Sequence, residues 1–215
     1  MYTLYYSPGT ASMVVHLALL EIGAKHQLKL VDFANKQQKD PAYLALNPNG
    51  VVPTLILNDQ AYIESAAVLM MLAERHPEAG LAPAPGSVEH DLWRQWIVYL
   101  SNDLQSTYRF WFYPEDLGSV EHPEPVRQAL QHKIEHIFSH LDAHLSQHGP
   151  YLLGSQFSAA DLLLGMLMRW SRNMPKPATE WTALNKLTQL VTTRPSWKKM
   201  HTIEALTIWP EVQPA

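Results

Sequence analysis

The 215-residue chain contains no cysteine. That absence excludes disulfides, cysteine-ligated zinc and any mechanism in which the protein itself supplies a thiol nucleophile. Charge is also sparse, at 17% of residues with a formal net charge of −4. No basic stripe stands out, which argues against nucleic acid as a partner. No apolar run reaches the ~18 residues of a membrane span. Even "DLLLGMLMRW" is closed by Asp161 and Arg169. The opening "MYTLYYSPG" lacks a basic region followed by an apolar run, so no signal peptide is expected. What the chain does have is 47% hydrophobic residues, enough to bury a core. A soluble, cytoplasmic protein without nucleic-acid or membrane partners is the expectation.

Two halves differ in texture. In the first, "TLYYS" reads as a strand, and residues 12 to 22 as a helix stopped by Gly23. "QLKLVDF" alternates like a strand, and "DPAYLAL" is a short helix with Asp40 as cap and Pro41 at its first position. "NPNG" is a turn. "VVPTLIL", "ND" and "QAYI" form a hairpin, and "ESAAVLMMLAERHP" is a helix ended by Pro77. The order βαβαββα gives a small mixed sheet covered by helices over residues 1–77. Residues 78–87 are a linker rich in Pro, Gly and Ala. Residues 88–215 are expected to be all-helical, with helices at about 88–113, 123–148, 158–173, 180–193 and 195–207. The fold class is therefore α/β followed by all-α.

Three places in the first half could carry chemistry. Thr10 and Ser12 stand at the entrance of the first helix, where hydroxyls either cap the helix or help its amides hold an anion. Pro53 interrupts a strand-like run. A cis Val52–Pro53 bond would turn the N–H and C=O of Val52 outward, where they suit an extended peptide-like ligand; an ordinary edge-strand proline is the other reading. Glu64 and Ser65 open the third helix. They read either as a cap or as a pair taking an ammonium and a carboxylate, which would suit the zwitterionic end of an amino acid.

With "SPGTAS", "NPNGVVPTL" and "ESAAVLMMLAE" on a thioredoxin-like half and a helical half behind it, the chain resembles the cytosolic glutathione transferases, nearest to the bacterial, beta-like members. The "VPTL…ESAA" pair is the specific part. "GSQFSAADLLL" adds the family's capping box, with Ser158 and Asp161 at its two positions and Phe157 and Leu162 at those of a hydrophobic staple. The resemblance implies a homodimeric detoxification enzyme that uses glutathione as co-substrate, requires no metal and attacks a small hydrophobic electrophile. Val52 and Pro53 would then meet the cysteinyl backbone, and Glu64 and Ser65 the γ-glutamyl end. Lys36 or Lys39 would meet the glycyl carboxylate, and Asp103 the γ-glutamyl amine across a dimer interface. Thr10 falls where several classes place a catalytic serine; Ser12 comes second, and Tyr5 and Tyr6 are outside candidates. The chain departs from beta-like members in carrying Ala11 at their cysteine position and Gln105 where many have a histidine. A glutathione- or hydrophobic-ligand-binding protein without catalysis is the alternative on the same fold.

Two stretches stand outside the resemblance. "YRFWFY", residues 108–113, covers every face of a helix, so its aromatics cannot all point inward. Tyr108, Phe110, Trp111 and Phe112 are therefore candidates for a hydrophobic substrate pocket. His132, His136, His140, His144 and His148 recur every four residues. Each step drifts ~40° around the helix, so the ladder is expected to wind from solvent toward the core and no single metal could use it all. An i, i+4 pair has chelating spacing for Zn²⁺ or Ni²⁺; a solvated polar stripe is the plainer reading.

Overall fold

The computed structural model describes residues 1–210. The chain divides into two compact units, one formed by Met1–Ala84 with Thr192–Ile208, the other by Pro85–Val191 with Trp209 and Pro210.

In the first unit, strands β1 (Tyr2–Tyr6), β2 (His26–Leu30), β3 (Thr54–Leu57) and β4 (Gln60–Tyr62) form one sheet in the order β2-β1-β3-β4. β1 runs parallel to β2 and antiparallel to β3, which is antiparallel to β4. Asn58 and Asp59 both have positive φ, the conformation a two-residue hairpin turn requires. Helices α1 (Ser12–Glu21), α2 (Pro41–Leu44) and α3 (Ser65–Arg75) complete the βαβαββα order. Pro53 lies just ahead of β3 rather than inside a strand, so it removes no ladder bond, and the Val52–Pro53 peptide is cis.

α1 is buried from Ser12 through Leu19. It packs on β1, α3 and α9 (Pro195–Ile203), which explains why its sequence is apolar on nearly every face. α9, expected in the helical half, has its contacts with α1. Arg194 donates from Nε and Nη2 to the two oxygens of Glu21, each at 2.7 Å, and the Ser196 hydroxyl donates to Glu21 Oε1. Burial pushes the Glu21 carboxyl up, but these bonds outweigh it and hold it below the usual carboxylate range.

In the second unit the single helix expected over 88–113 is divided into α4 (Val88–Tyr99), a π-helical segment (Leu100–Gln105) and α5 (Ser106–Phe112). α6 (Glu124–His148), α7 (Ala159–Trp170) and α8 (Thr182–Thr192) follow. α7 is buried from Ala159 to Arg169, so "DLLLGMLMRW" is a core helix. Among the described residues no helix is long and apolar enough to cross a membrane.

The capping box at α7 is formed. Asp161 is fully buried; its Oδ1 accepts from Leu152 N–H at 2.9 Å, and its Oδ2 from Ser158 N–H at 2.8 Å and the Ser158 hydroxyl at 3.1 Å. Burial pushes this carboxyl up to about 6 despite those bonds.

Asp161→Ala strands two buried N–H donors and is expected to cost about 3 kcal/mol or more in urea denaturation. The native carboxyl keeps its proton to a higher pH than the unfolded one, which ionises near 3.9. The group's contribution to stability is therefore complete below about pH 4 and falls as pH rises toward about 6. The stability of the wild type relative to Asp161→Asn should decline over that interval and level off above it.

Candidate functional site

Strand register brings the candidate residues of the first unit to one end of the sheet. Tyr5 pairs with Thr54 in the antiparallel β1–β3 ladder, so the loop leaving β1 runs toward the segment that enters β3. Leu55 pairs with Tyr62, so the chain leaving β4 reaches the same end at Ile63–Ser65. Tyr6 pairs with Leu30 in the parallel ladder, which puts the loop after β2 there as well. Residues 7–11, 31–39, 50–53 and 63–65 thus converge at this edge.

Below the edge, Val31, Tyr43 and Val52 form a small apolar cluster with Tyr5 and Phe33 against it. The Val51 carbonyl accepts from the Tyr43 hydroxyl at 2.7 Å and from Asn47 Nδ2 at 2.8 Å. Asn47 Oδ1 also accepts from Asn49 N–H at 3.1 Å, so the "NPNG" turn and the approach to Val52 are one hydrogen-bonded piece. Val52 itself is buried, and its N–H and C=O have no hydrogen-bond partner among the described residues. A backbone donor and acceptor left open side by side form a template for one more strand-like segment.

The loop after β1 is bound into itself. The Thr10 hydroxyl lies 2.7 Å from the Ser7 carbonyl, to which it donates, and 2.9 Å from Ser12 Oγ. Ser12 Oγ accepts from Ser7 N–H at 3.2 Å and lies 3.1 Å from the Ser7 carbonyl. Neither hydroxyl is the helix cap: the residue at the N-cap is Ala11, with no side-chain cap bond. Ser12 is fully buried and Thr10 is partly exposed, so Thr10 is the hydroxyl open to a ligand. The Ala11 N–H, beside the N-terminus of the ten-residue α1, has no partner among the described residues.

Glu64 occupies the N-cap of α3 with φ 68°, a conformation that costs a non-glycine residue ~1–3 kcal/mol. Its side chain makes no cap bond and is exposed, while Ser65 is the first helical residue and buried. The helix terminus therefore presents an exposed carboxylate next to first-turn amides.

Both candidate lysines are exposed. A Cβ placed at Gly50, whose φ is +59°, would lie 2.8 Å from Lys39 Nζ, so the Lys39 ammonium sits against the 47–53 loop. Tyr5 packs 5.8 Å from the Tyr43 ring, and its hydroxyl accepts from Lys29 Nζ at 3.3 Å. Tyr6 faces the other side, 6.3 Å from the His16 ring. Burial and the negative charge of Glu204 push its phenol up.

Sequence reasoning did not find Glu204, just past α9. Its Oε2 accepts from Gly9 N–H at 3.0 Å, and its Oε1 lies 2.8 Å from His16 Nδ1. Both side chains are fully buried, and His16 Nε2 has no partner. A lone glutamate 195 positions away gives no spacing signal.

In the second unit, Asp103 lies on the π-helical segment, 3.8 Å from Lys133 Nζ. The aromatic run divides as its spacing requires. Tyr108 and Trp111 are buried, while Phe110 and Phe112 are exposed. Tyr108 stacks on Phe112 at 5.7 Å and meets Trp170 edge-on at 5.6 Å, and burial raises its phenol. His132, His136 and His140 are exposed and His144 half-buried; His148, expected nearest the core, is exposed because the helix ends there. Among the described residues no group of three or more His, Asp or Glu side chains could hold a metal ion.

The chain thus carries a mixed βαβαββα sheet with an open backbone pair at one end, and an all-helical unit. Residues 2–80 match the family model of the glutathione S-transferase N-terminal domain, and residues 124–191 that of the C-terminal domain. The chain belongs to the glutathione S-transferase family. It is 29% identical over 170 residues to glutathione S-transferase GstA of Escherichia coli O157:H7, covering 78% of this chain and 81% of that one. It is 30% identical over 185 residues to the uncharacterised GST-like protein YncG of Escherichia coli K12, covering 84% and 85%. A sphingomonad glutathione S-transferase solved in complex with glutathione superposes with a TM-score of 0.84 at 26% identity, covering 95% of this chain and all of that one.

Glu204→Ala should remove the buried carboxyl that accepts from Gly9 N–H and meets His16 Nδ1, destabilising the protein by about 3–5 kcal/mol. Glu204→Gln keeps one carbonyl acceptor in place of two oxygens and should lose less. Chemical denaturation reads both; equal losses would contradict this account.

Proposed function

We propose that the chain is a glutathione transferase acting as a homodimer on a small hydrophobic electrophile. The observation that carries the reading is the open N–H and C=O of Val52 at the sheet edge where the Ser7–Ala11 loop and the start of α3 also lie. The cysteinyl unit of glutathione would pair there as an added strand segment, beside Pro53. Glu64 would take the γ-glutamyl ammonium, while Ser65 and the first-turn amides of α3 would take its carboxylate. Lys39, held against the 47–53 loop, is better supported than Lys36 for the glycyl carboxylate. Asp103 of a second subunit is assigned to the γ-glutamyl amine by family resemblance alone.

The chemistry belongs to the ligand's thiol. With a pKa of ~8.5 it is only a few per cent ionised at neutral pH, and lowering it by ~2 units takes roughly 2.7 kcal/mol of preference for the thiolate. The Ala11 N–H, the dipole of α1 and the Thr10 hydroxyl are the donors suited to that task. Ser12, buried, would hold the loop that carries them. The thiolate would then form a carbon–sulfur bond to the electrophile by addition, or by substitution with loss of a leaving group. A mixed disulfide between protein and glutathione is ruled out by the absence of cysteine.

A second reading, a glutathione-binding protein without catalysis, is favoured by one observation. The Thr10 proton is already committed to the Ser7 carbonyl at 2.7 Å.

An ultraviolet difference titration with glutathione over a range of pH separates the two. Thiolate absorbance that saturates with glutathione and appears well below pH ~8.5 is expected, and Thr10→Ala should move its onset upward by about one unit, on the scale of one lost charge-assisted hydrogen bond. Calorimetric binding without a thiolate signal would establish the second reading. No binding would remove both.

A further inference from the structure

The histidine ladder of α6 plays no part in the transferase reading. We propose that His144 and His148 form a surface site for a divalent late first-row transition ion, taking Cu²⁺ more tightly than Ni²⁺ or Zn²⁺. Their rings are neighbours across one helical turn, with centroids 5.0 Å apart and planes inclined at 41°. Two imidazoles binding one ion at about 2.0–2.1 Å per nitrogen, about 100° apart, place their ring centroids about 5 Å from each other. The pair already stands at that separation.

His144 is set in the form a ligand needs. Its Nε2 lies 3.0 Å from the Leu152 carbonyl oxygen. A carbonyl only accepts, so Nε2 carries the hydrogen and Nδ1 of the neutral ring keeps its lone pair. Fixing one ring N–H on a backbone carbonyl is the recurrent way in which proteins orient a metal-binding histidine. The ring also packs 4.5 Å from the Trp96 indole, which limits its rotation. His148, exposed at the last residue of α6, is free to close on the ion.

The rest of the ladder is not prepared in this way. Among the described residues, no hydrogen bond or ring contact anchors His132 or His136. His140 leans on Trp96 and Tyr99, at 6.3 and 5.8 Å. With no third protein ligand, water would complete the coordination sphere, so the bound ion is exchangeable and not structural.

The test is titration of the full, chelator-treated chain with CuCl₂, followed by calorimetry and by electron paramagnetic resonance. One equivalent should bind at tens of micromolar protein, with hyperfine structure from two imidazole nitrogens. His148→Ala, at an exposed position, should weaken binding at least tenfold while leaving the circular dichroism spectrum unchanged. His144→Ala should do the same, and His132→Ala should change nothing. Wild-type affinity in His148→Ala, loss of binding in His132→Ala, or binding that needs millimolar Cu²⁺ would each overturn the proposal. None of these readouts depends on glutathione, so they stand apart from the test of the transferase reading.

Discussion

The first unit depends on one buried carboxylate. Glu204 holds the N–H of Gly9 and the ring of His16, and so fixes the loop between β1 and α1 from behind. A short loop of glycine and hydroxyl residues has little packing of its own. Its own bonds from Thr10 and Ser12 to Ser7 are joined by those of Glu204, just past α9 and nearly two hundred positions further along the chain. Arg194 and Ser196 on Glu21 secure the same helix to the far end of α1, so α1 is gripped at both ends. Burying a charge is costly unless its bonds are made, and here both oxygens are engaged.

Against that fixed loop the sheet supplies the rest by register alone. An antiparallel β1–β3 pair and a tight β3–β4 turn bring the exit of β1, the entry of β3 and the start of α3 to a single edge. The strained Glu64 backbone and the open amide and carbonyl of Val52 are local departures from regular structure, and both occur at that edge. Departures of this kind persist where the surroundings over-determine them, as Tyr43 and Asn47 do by clamping the Val51 carbonyl.

Much of this was legible in the sequence, because it is written in short-range signals. Alternation gave the strands, "ND" the hairpin, and Ser158 with Asp161 the capping box. The candidate edge was legible as well, through "VPTL…ESAA". Long-range pairing was not. Glu204 and Arg194 sit in a helical stretch that resembles its neighbours, and only the contacts show that this stretch packs on α1. That the Lys39 ammonium lies against Gly50 is something no residue count reveals. Likewise Thr10 and Ser12 look alike as capping residues, and burial is what separates them. The π-helical segment within 88–113 left no mark in the hydrophobic spacing, since one extra residue per turn shifts the apolar face only after it has passed.

That residues 192–208 complete the first unit has a consequence for synthesis. On the ribosome, segment 1–84 emerges first but lacks the helix that grips α1 and the carboxylate that fixes the Gly9 loop. Residues 85–191 appear next and can gather their own core. The first unit can thus be completed only after residues 85–191 have been made. The half that bears the candidate edge lacks the helix that closes it until residues 192–208 have followed.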